Sequence, residues 1–113
     1  MQETGIINLP ELMDIMDHDM ELVRECFSDF LSDWPAIFVE IKEAGQTGNS
    51  EDLHQAAHKL KGMLKYLCAE TAARAAMDVE VAGREHTLEN LDEKISLLGR
   101  ECQALVRYIE SSL

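Results

Sequence analysis

Apolar residues recur along most of this chain at alternating spacings of three and four, the period of a helix with one buried face. The longest such run comprises Met20, Val23, Phe27, Phe30, Leu31, Trp34, Phe38 and Ile41 and reaches almost to Gly45. Pro35 falls inside it, yet the apolar face continues on the same side beyond the proline, which predicts one kinked, continuous helix. Leu53, Ala57, Leu60, Leu64 and Leu67 fall within roughly 40° of one direction at ~100° per residue and predict a helix ending near Cys68. Thr71 to Ala82 is rich in alanine, and predicts a helix whose small side chains let neighbours come close. Gly83 to Thr87 reads as the turn after it, and Leu91, Ile95, Leu98, Cys102, Leu105 and Ile109 repeat the bundle spacing in a last helix.

The polar residues between these runs supply starts and stops. Asn8 can cap a short helix running to about Asp17, with Pro10 in the first turn, where its missing N–H is not needed. Asp19 can cap the long helix. Gly45-Gln46-Thr47-Gly48-Asn49-Ser50 is the clearest loop, and Asn49 or Ser50 can cap the next helix, with Glu51 and Asp52 at its positive N-terminal end. Short connections imply antiparallel neighbours. The expected fold is therefore all-α: an antiparallel, up-and-down four-helix bundle with a short additional N-terminal helix, occupying residues 1–113 as a single domain.

Composition narrows the partners. The 113 residues carry 10 basic and 22 acidic side chains, a formal net charge of −12, which argues against nucleic acid or an anionic membrane as the partner. Acidity by itself says no more than solubility. Cys26, Cys68 and Cys102 are odd in number and lack a CxxC spacing, so neither a disulfide framework nor a zinc site is indicated and a reducing compartment fits. There is no signal-peptide pattern and no apolar stretch of about 18 residues, so the expected location is the cytoplasm. Neither a GxxxxGK[ST] run nor a glycine-rich kinase loop is present, so no nucleotide chemistry is expected.

Candidate chemistry centres on Ala57-His58-Lys59-Leu60-Lys61-Gly62. His58 projects away from the buried stripe, with Gly62 one turn later on the same outward side and Lys61 and Lys65 beside it. A neutral imidazole offers one unprotonated nitrogen as a nucleophile near pH 7, and Gly62 leaves a gap through which another molecule can approach. The plainer reading is a solvated surface histidine. His54 precedes His58 by four residues, a spacing that can hold a metal, but Gln55 replaces the glutamate of an HExxH zinc site; an ordinary rim residue is the competing reading. Lys59 and Lys65 can steer an acidic partner or be plain surface charges. Met13, Met16 and Met20 read as packing residues, and Trp34 as a core anchor.

The run from Ala57 to Gly62 resembles the signature of histidine phosphotransfer (HPt) domains, and the long proline-containing helix and two later helices extend the likeness over most of the chain. The resemblance implies that His58 accepts a phosphoryl group. Lys61 would then offset phosphoryl charge and Gly62 would give the partner access. Glu80, 22 residues after His58, matches a position from which some members present a carboxylate or amide to the histidine ring and orient it. The implied partners are response-regulator receiver domains and a hybrid sensor histidine kinase. No cofactor is implied in this chain, Mg²⁺ belonging to the receiver, and the protein is a phosphoryl carrier, not an enzyme. Two alternatives stand beside this: a docking module that is never phosphorylated, and a metal-binding bundle built on His54 and His58. Two departures stand out. Met63, Leu64 and Lys65 are bulky where many members have small residues, and Cys68-Ala69 stands where a Gly-Ala pair is common, which predicts a different helix end because cysteine adopts positive φ less readily than glycine.

Overall fold

The computed structural model describes residues 5–87 and 89–112. Among these the regular elements are all helical: α1 (Leu9–Ile15), α2 (Met20–Thr47), α3 (Ser50–Tyr66), α4 (Glu70–Glu85) and α5 (Leu91–Ser112). The capping signals act where they were read, but residues 45–47, expected in a loop, continue α2, and only Gly48 and Asn49 separate it from α3. Asn8 caps α1 by accepting from the Glu11 N–H, Asp19 caps α2 by accepting from Glu21 and Leu22, and Asn49 caps α3 by accepting from Asp52. Pro35 lies within α2, which is unbroken from end to end, and its exposed ring faces away from the core.

Helices α2 to α5 close into a ring in which α3 packs on α2 and α4, and α5 packs on α4 and α2; α1 packs on α2. This is the expected antiparallel bundle with its additional short helix. One core runs through it, built from Val23, Phe27, Phe30, Trp34 and Ile41 of α2, Leu53, Leu60 and Leu64 of α3, Val79 of α4, and Leu98, Leu105 and Ile109 of α5. Cys102 belongs to that core, and burial pushes its thiol up to about 12, so it acts as a small apolar side chain. No helix is long and apolar enough to cross a membrane among the described residues.

Two expectations are corrected at the ends of α3 and α4. Cys68 does adopt the left-handed conformation, with φ of 58°. Its N–H donates to the Lys65 carbonyl and the Ala69 N–H to the Leu64 carbonyl, the paired bonds that close a Schellman turn. The Cys68 carbonyl accepts from the Asn8 N–H at 2.9 Å, so the start of α1 is tied to the α3–α4 turn and helps hold the strained residue. Gly83, expected in a turn, lies inside α4 and is buried; the reversal comes at His86, with φ of 57°. The reason is contact: a Cβ on Gly83 would stand 2.8 Å from the backbone nitrogen of His54, so the glycine lets the α4 backbone rest directly on α3.

Candidate functional site

The close approach of α3 and α4 follows from α4's composition. Ala72, Ala73, Ala75, Ala76, Ala82 and Gly83 are all buried, and none is large enough to hold the helices apart. A side chain of ordinary reach on α4 can therefore touch the outward edge of α3. Glu80 is that side chain, and it is the buried charged residue of the core, only 4% exposed.

His58 keeps 64% of its side chain exposed while its Nδ1 lies 2.8 Å from Glu80 Oε2. The Lys61 ammonium meets the other oxygen, Oε1, at 2.7 Å. Burial pushes the Glu80 carboxyl upward, but the bonds and charges of Lys61 and His58 outweigh it and hold the carboxyl below its usual range. Glu80 is thus an anion near neutrality and can only accept. The shared proton must sit on His58 Nδ1, which donates to Oε2, and a neutral ring then carries its lone pair on Nε2. A buried carboxylate thereby sets the tautomer of an exposed imidazole.

Gly62 has ordinary helical geometry, and a Cβ placed on it would meet nothing within 4 Å. Nothing inside the molecule calls for glycine there. The space it leaves is open to the outside, one turn from His58.

Residues 25–108 match the Hpt domain family. The chain belongs to that family. The crystal structure of histidine-containing phosphotransfer protein B (HptB) from Pseudomonas aeruginosa PAO1 superposes on it with a TM-score of 0.90 at 17% identity, covering 97% of this chain and 96% of that one. At this identity the likeness speaks for the fold. No curated protein sequence matches the chain. Members of the Hpt family take part in histidine phosphotransfer within phosphorelays, with two-component proteins such as receivers and kinases as partners, and are in general carriers and not kinases.

In this Hpt domain the structure brings three of the four sequence-derived residues, His58, Lys61 and Glu80, into one cluster and leaves Gly62 beside it as a clear surface. Lys61 differs from its outward expectation. It is 15% exposed and reaches across to α4, because it stands only about 80° from the centre of the buried stripe. Lys59 lies on the other flank, in a crevice with Glu40, Glu43 and Asp52 between α2 and α3, away from the cluster. His54 is more than a rim residue: its Nε2 lies 3.6 Å from Glu80 Oε2, and its ring lies alongside that of His58, centroids 6.3 Å apart. The four-residue spacing to His58 was the visible signal, but the carboxylate that makes it meaningful comes from another helix. Gly83 was missed as a contact, since a glycine near a helix end reads as a stop. Among the described residues no group of three or more His, Cys, Asp or Glu side chains is placed to hold a metal ion.

Proposed function

We propose that this Hpt domain is a phosphorelay intermediate that accepts a phosphoryl group on His58 Nε2 and passes it to a response-regulator aspartate. The observation that carries this reading is the 2.8 Å bond from His58 Nδ1 to a buried carboxylate, on a ring that is otherwise exposed. The donor is the phosphoaspartate of a receiver domain or the phosphohistidine of a hybrid sensor kinase. With a phosphoaspartate, Nε2 attacks phosphorus, the N–P bond forms, the acyl O–P bond breaks, and the donor keeps a free carboxylate. The ring gains positive charge in that step, and Glu80 opposes it directly through Nδ1. Onward transfer to a second aspartate reverses the same bonds.

Lys61 acts in the first place as the counter-ion that keeps Glu80 anionic. Its ammonium is engaged at 2.7 Å, so direct contact with phosphoryl oxygens requires it to leave that pair. Gly62 gives the receiver room to approach, and Tyr66, one turn further along α3 and 56% exposed, extends the surface it would meet. The domain uses no cofactor of its own; Mg²⁺ is brought by the receiver's acidic pocket, and the chain works as a carrier in the cytoplasm.

Incubation with a phosphorylated receiver domain tests the reading. Wild type is expected to gain an acid-labile label and His58→Gln to lose it entirely, with helical content kept because the side chain lies outside the apolar core. Equal labelling of the two, or no labelling of the wild type by any receiver or kinase of the same cell, overturns it; the latter result would mark an unphosphorylated docking module.

A further inference from the structure

The formal net charge of −12 is not spread evenly over the concave surfaces of the bundle. Carboxylates outnumber cations in the crevice between α2 and α3, where Glu40, Glu43 and Asp52 face Lys59, and at the start of α5, where Asp92 and Glu93 face Arg100. The groove between α2 and α5 reverses the sign. Lys42, Arg100 and Arg107 edge it, and no carboxylate lines it. None of these three cations is held in an ion pair among the described residues. Between them the lining is apolar: Trp34, Phe38 and Ile95, with Gly99, where a Cβ would stand 2.8 Å from the Phe38 ring. The Lys42 ammonium lies 5.7 Å from the centre of that ring.

The positive edge has a direction as well as a sign. Arg100, Gln103 and Arg107 follow one another at spacings of three and four, so they share one side of α5 over two turns, about 10 Å. Gly99 meets Phe38 and Gly45 meets Ile95, so the two helices run antiparallel and Lys42 stands across the groove toward its Ser96 end.

We propose that the α2–α5 groove is a second docking surface, whose occupant is an acidic amphipathic helix of another protein. Its apolar side lies on Trp34 and Phe38, and its carboxylates, at three-and-four spacing, meet Arg100, Arg107 and Lys42. Charge selects this occupant. Two copies of the chain meeting groove to groove would set cations against cations. A nucleic-acid backbone would run past this short edge onto the surrounding carboxylates. A neutral helix would cover the apolar lining and leave the cations beside it without counter-charges. The groove also lies across the ring of helices from the α3–α4 seam, so a bound helix leaves His58 and Gly62 uncovered.

The test uses the whole domain and a synthetic four-turn peptide with leucines at alternating three-and-four spacing and glutamates on both flanks. In ¹H–¹⁵N spectra the peptide is expected to shift the Trp34 indole and Gly99 signals and to leave Gly62 unmoved. Arg100→Glu combined with Arg107→Glu, both at exposed positions, should weaken binding roughly tenfold, because each reversal turns a rim attraction into a repulsion. The corresponding pair of Arg→Gln changes should weaken it less, and high salt should narrow the differences. The same peptide with lysine for glutamate should not bind. Absent shifts at Trp34 and Gly99, equal binding of acidic and basic peptides, or unchanged affinity in the double Glu variant overturns the proposal. Dimerisation of the wild type that the double Glu variant loses also overturns it, by making the occupant a second copy. Labelling by a phosphorylated receiver should run at the wild-type rate in the double Glu variant; a parallel loss would make the groove part of the receiver's own contact and overturn a separate surface. The peptide result decides the proposal whether or not His58 is labelled.

Discussion

The α3–α4 seam and the α2–α5 seam each close on a glycine, and they differ in what that glycine meets. Gly83 of α4 lies against the backbone of α3 at His54, whereas Gly99 of α5 lies against the ring of Phe38, where a Cβ would stand 2.8 Å from the ring's far carbon. The first seam is backbone on backbone, and polar side chains of modest reach cross it: Glu80 touches His58, Lys61 and His54. The second is held open by aromatic rings. Trp34 stacks on Phe30 and packs at an angle on Phe38, and outside them lies a groove of about 750 Å³ edged by Lys42, Arg100 and Arg107. Bulk at one seam supplies cohesion, and its absence at the other supplies proximity. Chemistry needs the second property more, because a hydrogen bond is lost within half an ångström of separation.

The sharpest way to break that division is to remove bulk from the cohesive seam. Trp34→Ala is expected to lose about 3–5 kcal/mol of stability in urea unfolding, the usual cost of a buried aromatic, while the folded fraction accepts phosphoryl groups at the wild-type rate. A slowed rate per folded molecule would show that the two seams are coupled.

A smaller effect is expected from adding bulk where proximity matters. Gly83→Ala should cost about 1–3 kcal/mol, because the new Cβ meets backbone that cannot turn aside, and it should also slow labelling as Glu80 is drawn away from His58. Gly62→Ala is the control on the same pair of helices: with open space around its Cβ, it should leave stability unchanged or raise it by up to about 1 kcal/mol. Equal destabilisation of the two would deny that α3–α4 contact is specific to Gly83.

The smallest effect is in pH. Lys61 and His58 hold Glu80 below its usual range against the opposing push of burial, so its ionised form stabilises the fold. That contribution is complete above the ordinary carboxyl range, at about pH 5 and higher, and is lost as pH falls through the lowered native value. Urea unfolding of wild type and Glu80→Gln should therefore show a constant difference above about pH 5 that narrows toward pH 3. A difference that grows on acidification would mean that the native carboxyl lies above its unfolded value, contrary to the pairing described.

Much of this was legible along the chain because it depends on neighbours three or four residues apart. The apolar stripes of α2, α3 and α5, the capping roles of Asn8, Asp19 and Asn49, and the outward direction of His58 are all local, and helical periodicity is enough to read them. The end of α3 was misjudged because Cys68 takes a conformation that cysteine tolerates poorly, closed by its local Schellman bonds and tied in addition by the Asn8 N–H, sixty residues away, on its carbonyl. For Gly83 the reason is non-local: its role is defined by a backbone on another helix.

The helices, their apolar faces and the outward direction of His58 follow from the order of side chains on a regular screw and could be read along the chain. The burial of Glu80, the inward turn of Lys61 and the approach of His54 to the same oxygen arise only once α3 and α4 are packed. Those facts depend on the rotation and separation of α3 and α4, which small side chains permit but only packing of the whole bundle sets.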